Sequence, residues 1–473
     1  MKNQIFESQV HLAHSAETAF SWHERDGAFE RLSPPWMEVK CAERSGGIQD
    51  GGRVVLLLVK GPVQLPWVMG HKDYVPNQQF VDYQIAGPFQ YWQHIHSFAP
   101  DATGGGSILN EHIEFRLPLG VLGQIFGAGL IKADLQRLFR YRHALTRRDL
   151  AMQKRYGGRS LKILVTGGNG LVGKALIPFL TTQGHRVVQL VRKQSPKAEL
   201  PLATVEKILW DPEKGTIDAP LPDDLDGVVH LAGYNVAARG WTPGVKRSIE
   251  ESRVKSTAYL VKLFSEMKRK PPVFVCASAM DFYGDRGSEP VTEDSGGGDS
   301  FLAGVCRKWE AAANEARSLN MRVVNLRISA VLSPKGAALG KLLPVFKAGG
   351  GGPVGSGEQY FSWISLDDML GCIYHSLVEE TVEGPLNAVA PGCLTNRQFG
   401  STLAGVLGRP ALVPLPEAVV QVLFGELGEA LLLTSRRLLP QKLKQTGYQF
   451  LDPELAPALK YMLGLSAGYS SYE

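Results

Sequence analysis

Three glycines near residue 170 have a spacing that suits the binding of a phosphate group. In LKILVTGGNGLVG (Leu161–Gly173) they follow an apolar run that predicts a buried strand, and a helical pattern comes next. Glycine permits the sharp turn, lets the backbone approach a pyrophosphate and lets the helix pack on the strand, while the helix start attracts an anion. We therefore predict a dinucleotide site, with a turn that binds no ligand as the alternative. Its expected residues are Thr166, Gly167, Gly170, Leu171, Val172 and Gly173.

The residues after the second predicted strand indicate which dinucleotide binds. A site selective for NAD places Asp or Glu there, where the carboxylate accepts a hydrogen bond from the ribose 2′-hydroxyl. Strand Arg186–Val191 is followed instead by Arg192 and Lys193. A guanidinium can pair with a 2′-phosphate through two parallel hydrogen bonds. We therefore expect NADP(H) rather than NAD(H), with a solvated basic loop as the alternative.

Composition and charge exclude several classes of protein. Of the 473 residues, 44% are hydrophobic and 21% charged, which excludes collagen-like, coiled-coil and disordered chains. The net charge of +5 is too small over this length to indicate a nucleic-acid partner. The five cysteines form no Cys-x-x-Cys pair, which argues against a zinc ribbon and favours a reducing, cytoplasmic compartment. We predict neither a signal peptide nor a membrane span, because no apolar run is long enough.

Two parts of the chain differ in their hydrophobic pattern. Residues 1–150 alternate as strands do and end in a long helical segment. Residues 161–473 alternate apolar strands with amphipathic helices, which is typical of a doubly wound parallel sheet with a smaller C-terminal lobe. The segment between them, residues 151–160, is polar and basic and contains Gly-Gly, so we place a linker there.

The first part resembles the START and Bet v 1 superfamily, whose α+β helix-grip fold wraps a sheet around a long helix. The shared features are a strand, two short helices, a run of antiparallel strands and a closing helix. The segment GPFQYWQHIHSF (Gly87–Phe98) is similar to the cyclase/dehydrase-like members. This resemblance implies an apolar cavity and a hydrophobic small-molecule ligand, not a reaction.

Two histidines in this segment could share one face of a strand. His94 and His96 are two residues apart, and His112 is a third imidazole that could come from a neighbouring strand. Three imidazoles can hold zinc. No Cys, Asp or Glu completes a recognisable ligand spacing, however, so we interpret the histidines as a polar face or pocket rim and predict no metal site.

The second part resembles the extended short-chain dehydrogenase/reductase class. DGVVHLAG resembles the fourth-strand motif of that class, which implies that Leu231, Ala232 and Gly233 lie beside the cofactor. A closer resemblance, to the uncharacterised nucleoside-diphosphate-sugar epimerase-like branch, includes a similar C-terminal extension. The segments that carry both resemblances are Asp226–Gly233, Gly240–Thr257, Val273–Asp285, Phe301–Ala313, Gly351–Asp368, Asn387–Phe399 and Arg436–Phe450.

The class implies a Tyr-x-x-x-Lys dyad, and this sequence departs from it. Alignment on Glu310 puts Leu302 at the tyrosine position and Cys306 at the lysine position. A phenol with a pKa near 10 needs help to act as an acid or base near neutral pH. We therefore predict a rearranged site. Its catalytic residues would be Ser278 (Ala279 in the alternative register), Tyr283 and Lys255.

Three functions remain open from the sequence. The first is an NADP(H)-dependent oxidoreductase or epimerase-like enzyme that acts on an unidentified small molecule. The second is a non-catalytic NADP(H)-binding sensor or scaffold. In the third, the helix-grip domain carries a hydrophobic ligand and the cofactor domain assists it. The chain could be an oligomer in each case.

Overall fold

The computed structural model describes residues 2–102, 104–118, 120–157, 159–192 and 202–466. Its first domain is one antiparallel sheet of seven strands in the order β1-β7-β6-β5-β4-β3-β2, with two short helices after β1 and a long helix at the end. These elements appear in the order expected from the sequence. They are β1 (Gln4–Leu12), α1 (Ala16–Glu24), α2 (Ala28–Leu32), β2 (Glu38–Ser45), β3 (Arg53–Lys60), β4 (Val63–Val75), β5 (Gln79–Ala86), β6 (Tyr91–Pro100), β7 (Ser107–Arg116) and α3 (Gly120–Tyr156).

The inner face of this sheet is apolar at its ends and polar in its middle. Residues of β6 and β7 alternate between buried and half-buried, as expected of strands with one covered face. Leu135 and Phe139 of α3 pack on that face against Trp92 and Phe115. His94 and His96 lie between the apolar clusters, both buried.

His112 does not join these two histidines, so the three imidazoles do not form one group. It lies on β7, but on the outer face of the sheet, where carboxylates of Glu7 and Glu114 are 3.0 and 3.4 Å from its ring nitrogens. Because successive side chains of a strand point to opposite faces, the inward position is that of Glu111.

The long helix α3 crosses the predicted domain boundary. It continues through Tyr156, so the first six residues of the predicted linker 151–160 are helical. Met152, within that segment, is buried in the core of the second domain. The polar, basic composition of the last helical turns led us to predict a linker there, although one face of the helix is covered.

The second domain is a doubly wound sheet in the order β11-β10-β9-β8-β12-β13-β15-β19, parallel except for β11, with helices on both faces. The predicted fold class is confirmed, and the first strand of the domain lies in the middle of the sheet. Its elements are β8 (Lys162–Thr166), α4 (Leu171–Thr182), β9 (Arg186–Val191), β10 (Val205–Asp211), β11 (Thr216–Ile217), β12 (Gly227–His230), α5 (Pro243–Glu266), β13 (Val273–Ala279), β14 (Pro290–Val291), α6 (Phe301–Asn314) and β15 (Arg322–Ile328).

The remaining elements complete the sheet and form a smaller C-terminal lobe. This lobe contains short paired strands, β14 with β21, β16 with β18 and β17 with β20. The elements are β16 (Ala330–Leu332), α7 (Ala337–Lys347), β17 (Tyr360–Phe361), β18 (Trp363–Ser365), α8 (Leu366–Val378), β19 (Gly384–Ala388), β20 (Leu394–Thr395), α9 (Asn396–Leu407), α10 (Glu417–Gly428), β21 (Arg437–Leu438), α11 (Gln441–Gln445) and α12 (Leu455–Met462). Within the ranges described, no helix is both long and apolar enough to cross a lipid bilayer.

Buried ion pairs join the two domains. Arg31 of α2 lies 2.6 Å from Asp149 of α3 and 3.3 Å from Asp367 at the start of α8. Arg148 lies 2.8 Å from Asp452 and 3.4 Å from Asp367. Removing one member would leave a buried charge unpaired, which typically costs about 3–5 kcal/mol. The ion pairs therefore fix α2 and α3 to the start of α8 and to Asp452 before α12.

Candidate functional site

The three glycines of the turn after β8 have different structural roles. Gly167 has φ +71°, and a Cβ there would lie 2.6 Å from the carbonyl of Leu231 at the end of β12. A Cβ on Gly173 would collide with the carbonyl oxygen of Gly167, so this glycine lets α4 pack against the turn. A Cβ on Gly170 would meet only that same oxygen, at 3.3 Å. Gly170 therefore leaves room for a ligand.

Helix α4 begins at this turn without a side-chain cap. Gly170 is its N-cap and makes no side-chain hydrogen bond. The first N–H groups of a helix lack intrahelical partners, and the helix dipole favours negative charge there. The 12-residue α4 thus offers backbone donors of Leu171, Val172 and Gly173 to an anion. These features fit the pyrophosphate of a dinucleotide.

A cleft of about 700 Å³ opens beside the turn. Its walls are the turn, the end of β9, the end of β10, residues 231–233 after β12, and one face of α5. The predicted cofactor residues that line it are Gly167, Gly170, Arg192, Leu231, Ala232 and Gly233. The cleft is also lined by residues that we did not predict from the sequence, among them Asn169, Gln189, Trp210 and Ser256. The cleft is therefore continuous from the glycine turn to the end of β9.

The cation predicted at the end of β9 lies at the rim of this cleft. The Arg192 side chain is 67% exposed, and its guanidinium is 3.9 Å from the Glu213 carboxylate. Such a loose, exposed pair contributes little to stability, so the guanidinium can turn to a ligand at small cost. Lys193 lies outside the described residues.

Thr166 supports the cleft from behind rather than lining it. Its hydroxyl is buried, accepts a hydrogen bond from the Ala232 N–H at 3.2 Å, and lies 2.7 Å from His230 Nδ1. The other ring nitrogen of His230 is 3.3 Å from the Ser256 hydroxyl on α5. Burial, aided by the nearby Arg253 cation, lowers the pKa of His230 to about 3, so the ring is neutral. His230 of β12 thus connects the end of β8 to α5. We did not predict this role from the sequence, where the only signal is its place in DGVVHLAG.

Ser278 and Tyr283, at the end of β13, belong to one buried network. The Ser278 hydroxyl donates to Glu310 at 2.6 Å, and Glu310 makes a bidentate pair with Arg327 at 2.9 Å. Arg327 donates to the Tyr283 hydroxyl at 2.9 Å, which donates to Asn387 at 2.6 Å. The network joins β13 to α6, β15 and β19. The structure therefore brings two of the three predicted catalytic residues together.

Tyr283 is held inside the protein. Its side chain is fully buried, and burial raises the pKa of Tyr283 to about 12 although Arg327 opposes the shift. An acid or base that works near neutral pH needs the opposite shift. In this conformation the phenol is a structural hydrogen-bonding group.

Lys255 is not the cation beside Tyr283, contrary to the predicted pairing. It lies on α5, its side chain is 57% exposed, and its ammonium is 3.0 Å from Glu251 one helical turn earlier. Both residues line the dinucleotide cleft. The cation that contacts the phenol is Arg327, because the end of β13 packs against β15 rather than against the exposed face of α5.

A second cavity, of about 710 Å³, lies between the two domains. Trp36 and Tyr141 of the first domain line one side of it, and Leu171 and Leu332 of the second domain line the other. Asn169 of the glycine turn lines both this cavity and the dinucleotide cleft. The predicted cofactor residue Leu171 thus lines this cavity rather than the dinucleotide cleft, although its backbone N–H belongs to the start of α4.

Comparison with known proteins agrees with this architecture. The model of the NAD dependent epimerase/dehydratase family matches residues 163–387, and that of a domain of unknown function matches residues 415–462. The human epimerase family protein SDR39U1 is 37% identical over 303 residues, which cover 63% of this chain and 99% of that protein. The chain belongs to the NAD-dependent epimerase/dehydratase family. The resemblance inferred from the sequence is therefore confirmed for the second domain.

Two solved structures of similar proteins extend the comparison from sequence to structure. A nucleoside-diphosphate sugar epimerase from Corynebacterium glutamicum is 31% identical, with a TM-score of 0.79, and the match covers 98% of this chain and 90% of that chain. Human SDR39U1, solved with NADPH, is 36% identical with a TM-score of 0.58, covering 64% of this chain and 99% of that chain. The two-domain arrangement is thus shared with the bacterial protein, whereas the human protein matches over about the length of the second domain.

Proposed function

We propose that the protein binds NADP(H) in the cleft beside the glycine turn. The observation that carries this proposal is the end of β9, where Arg192 lines the cleft at the position that a carboxylate occupies in NAD-selective sites. Lys255 of α5 is a second cation that lines the cleft, where it pairs with Glu251. The structure of human SDR39U1 with NADPH supports the choice of coenzyme.

Calorimetric titration of NADPH and NADH into the wild type and Arg192→Ala tests this proposal. Loss of a charge-assisted hydrogen bond costs roughly 1.5–3 kcal/mol, so NADPH affinity should fall about ten- to hundredfold while NADH affinity stays nearly constant. Arg186→Ala is the matched control, because Arg186, the first residue of β9, is also exposed but does not line the cleft. Equal affinities of the wild type for the two coenzymes would refute the preference.

For the bound coenzyme we propose hydride transfer to or from an unidentified small molecule, as in an oxidoreductase or epimerase. When the coenzyme is bound, the reduced nicotinamide would donate the hydride and the oxidised nicotinamide would accept it. The fixed Thr166–His230–Ser256 support behind the cleft would hold the coenzyme in one orientation. The acid/base roles of Ser278 and Tyr283 stay predictions, since both side chains are engaged in the buried network.

A non-catalytic coenzyme sensor is the second candidate, and one observation favours it. The positions that align with the usual dyad hold Leu302 and Cys306, both buried on α6, and burial raises the pKa of the Cys306 thiol to about 12. Neither group can exchange a proton near neutral pH. Turnover of bound NADPH by a panel of carbonyl compounds distinguishes the candidates, because a sensor would leave the coenzyme unchanged with every compound.

We also propose that the first domain is a START/Bet v 1-like binder of a hydrophobic small molecule in a cytoplasmic protein. The order of its elements supports the assignment. Trp36 and Tyr141 line the cavity between the domains, together with charged residues such as Arg31 and Asp367. An apolar ligand there would lie against Asn169 of the glycine turn. If so, its addition should change NADPH affinity in the wild type, and Trp36→Ala should remove that coupling.

A further inference from the structure

Titratable side chains form two rows across the inner face of the first domain's sheet. In one row His71 of β4 lies opposite Asp82 of β5, which lies opposite His94 of β6. In the next row His96 of β6 lies opposite Glu111 of β7. The two rows are two residues apart along β6, so their side chains share one face. Four strands thus supply nitrogen and carboxylate donors to one small volume.

The donor atoms lie close enough together to reach a single metal ion. One ligand atom from each of Asp82, His94 and His96 lies within 4.8 Å of the others. The Asp82 Oδ2 to His96 Nε2 distance is 3.3 Å. Four-coordinate zinc, with bonds of about 2.0–2.1 Å, sets its ligand atoms roughly 3.3 Å apart. Small side-chain rotations, without movement of the strands, would therefore bring the three groups onto one ion.

Glu111 occupies the place of an outer carboxylate. Its Oε2 lies 2.8 Å from His94 Nε2 and 2.7 Å from His96 Nδ1. Histidines that bind a metal commonly direct their other ring nitrogen to a carboxylate, which fixes the orientation of the ring. For His96 this leaves Nε2 on the side of Asp82. The arrangement therefore orients at least one ring toward the shared volume.

The cluster places two carboxylates, Asp82 and Glu111, beside buried histidines. His94, His96 and Glu111 are buried, and the Asp82 side chain is 26% exposed. Buried charges are stable only when paired, and buried polar atoms are nearly always hydrogen-bonded. A metal ion bound among these groups would supply positive charge to both carboxylates.

We propose that Asp82, His94 and His96 bind one divalent transition-metal ion, with Zn²⁺ as the preferred ion and Glu111 as the carboxylate that orients the histidines. Two imidazoles and a carboxylate suit zinc and similar ions, whereas Mg²⁺ prefers an all-oxygen set. The site would link β5 and β6 directly and β7 through Glu111, beneath α3. This reverses the prediction of no metal, whose premise was that no carboxylate accompanies the histidines.

The test uses the full-length protein, stripped with a chelator and titrated with Zn²⁺ by calorimetry. We expect one tight site per chain, a higher melting temperature with Zn²⁺, and no comparable binding of Mg²⁺. Asp82→Asn and His94→Gln keep the shape of the side chains and should weaken that site by at least tenfold. His112→Gln, a histidine on the outer face of the neighbouring strand, is the matched control and should bind as the wild type does.

Cobalt substitution decides the question even if a variant fails to fold. Co²⁺ in the wild type should give the absorption of a nitrogen and oxygen site, without the sulfur-to-metal charge-transfer band that binding at a cysteine would give. Absence of a stoichiometric Zn²⁺ site in the wild type would overturn the proposal. So would folded Asp82→Asn and His94→Gln variants that bind Zn²⁺ as tightly as the wild type, or a cobalt spectrum with a sulfur band.

Discussion

Two strand ends of the same parallel sheet differ in how far the sequence specifies the groups that meet there. After β8, the functional groups are backbone N–H groups and the space left by missing side chains, and both follow from glycine spacing along the chain. After β13, the groups are the side chains of Ser278 and Tyr283, and their surroundings come from α6, β15 and β19. The spacing of residues along a sequence therefore specifies a site built from backbone groups. It does not specify which residues of other elements contact a given side chain.

Substitutions in the buried network after β13 should lower the free energy of unfolding more than substitutions in the glycine turn. Arg327→Met leaves the Glu310 carboxylate buried without its bidentate partner, and the Tyr283 hydroxyl loses a donor. Breaking a buried ion pair in this way typically costs about 3–5 kcal/mol. We expect a loss of that size in the free energy of unfolding, measured by urea denaturation.

Two further variants sharpen this prediction. The double variant Arg327→Met with Glu310→Met should recover part of the loss, because no uncompensated charge remains inside. Arg317→Met, an exposed arginine just before β15, should change the unfolding free energy by less than about 0.5 kcal/mol. A mild effect of Arg327→Met would mean that the network is not structural, and the contrast between the two strand ends would fail.

A substitution in the glycine turn should instead lower the affinity for the cofactor. Gly173→Ala forces a Cβ against the Gly167 carbonyl, so the helix start must move away from the turn. Overpacking of this kind costs about 1–3 kcal/mol, and we expect roughly ten- to hundredfold weaker NADPH binding by calorimetry. Gly405→Ala is the control, because a Cβ on this glycine of α9 meets open space and should leave affinity unchanged. Equal affinities of both variants and the wild type would remove the turn from the site.

The same distinction explains how much of the fold and site the sequence could predict. The pattern of β9 predicted the strand with the bounds that the structure shows, because a buried parallel strand is a nearly continuous apolar run. The end of α3 was missed, since its polar residues hide the single buried face that includes Met152. The partners of His94 were missed because Asp82 and Glu111 come from other strands. Pairing across an antiparallel sheet depends on a register that no short motif reports.

Tyr283→Phe has the smallest expected effect and is the most direct test of the comparison. The substitution removes only the hydroxyl that links Arg327 to Asn387, so the free energy of unfolding should fall by about 1 kcal/mol. NADPH affinity should not change, because Tyr283 does not line the dinucleotide cleft, whereas Lys255→Met should weaken NADPH binding severalfold from the cleft wall. Denaturation and calorimetry on both variants measure these effects. If Tyr283→Phe instead keeps full stability but loses a hundredfold or more of any turnover found in the wild type, the phenol must leave the network to reach a substrate. The end of β13 would then be a catalytic site that opens, and Arg327 would be the cation that prepares the phenol for proton transfer.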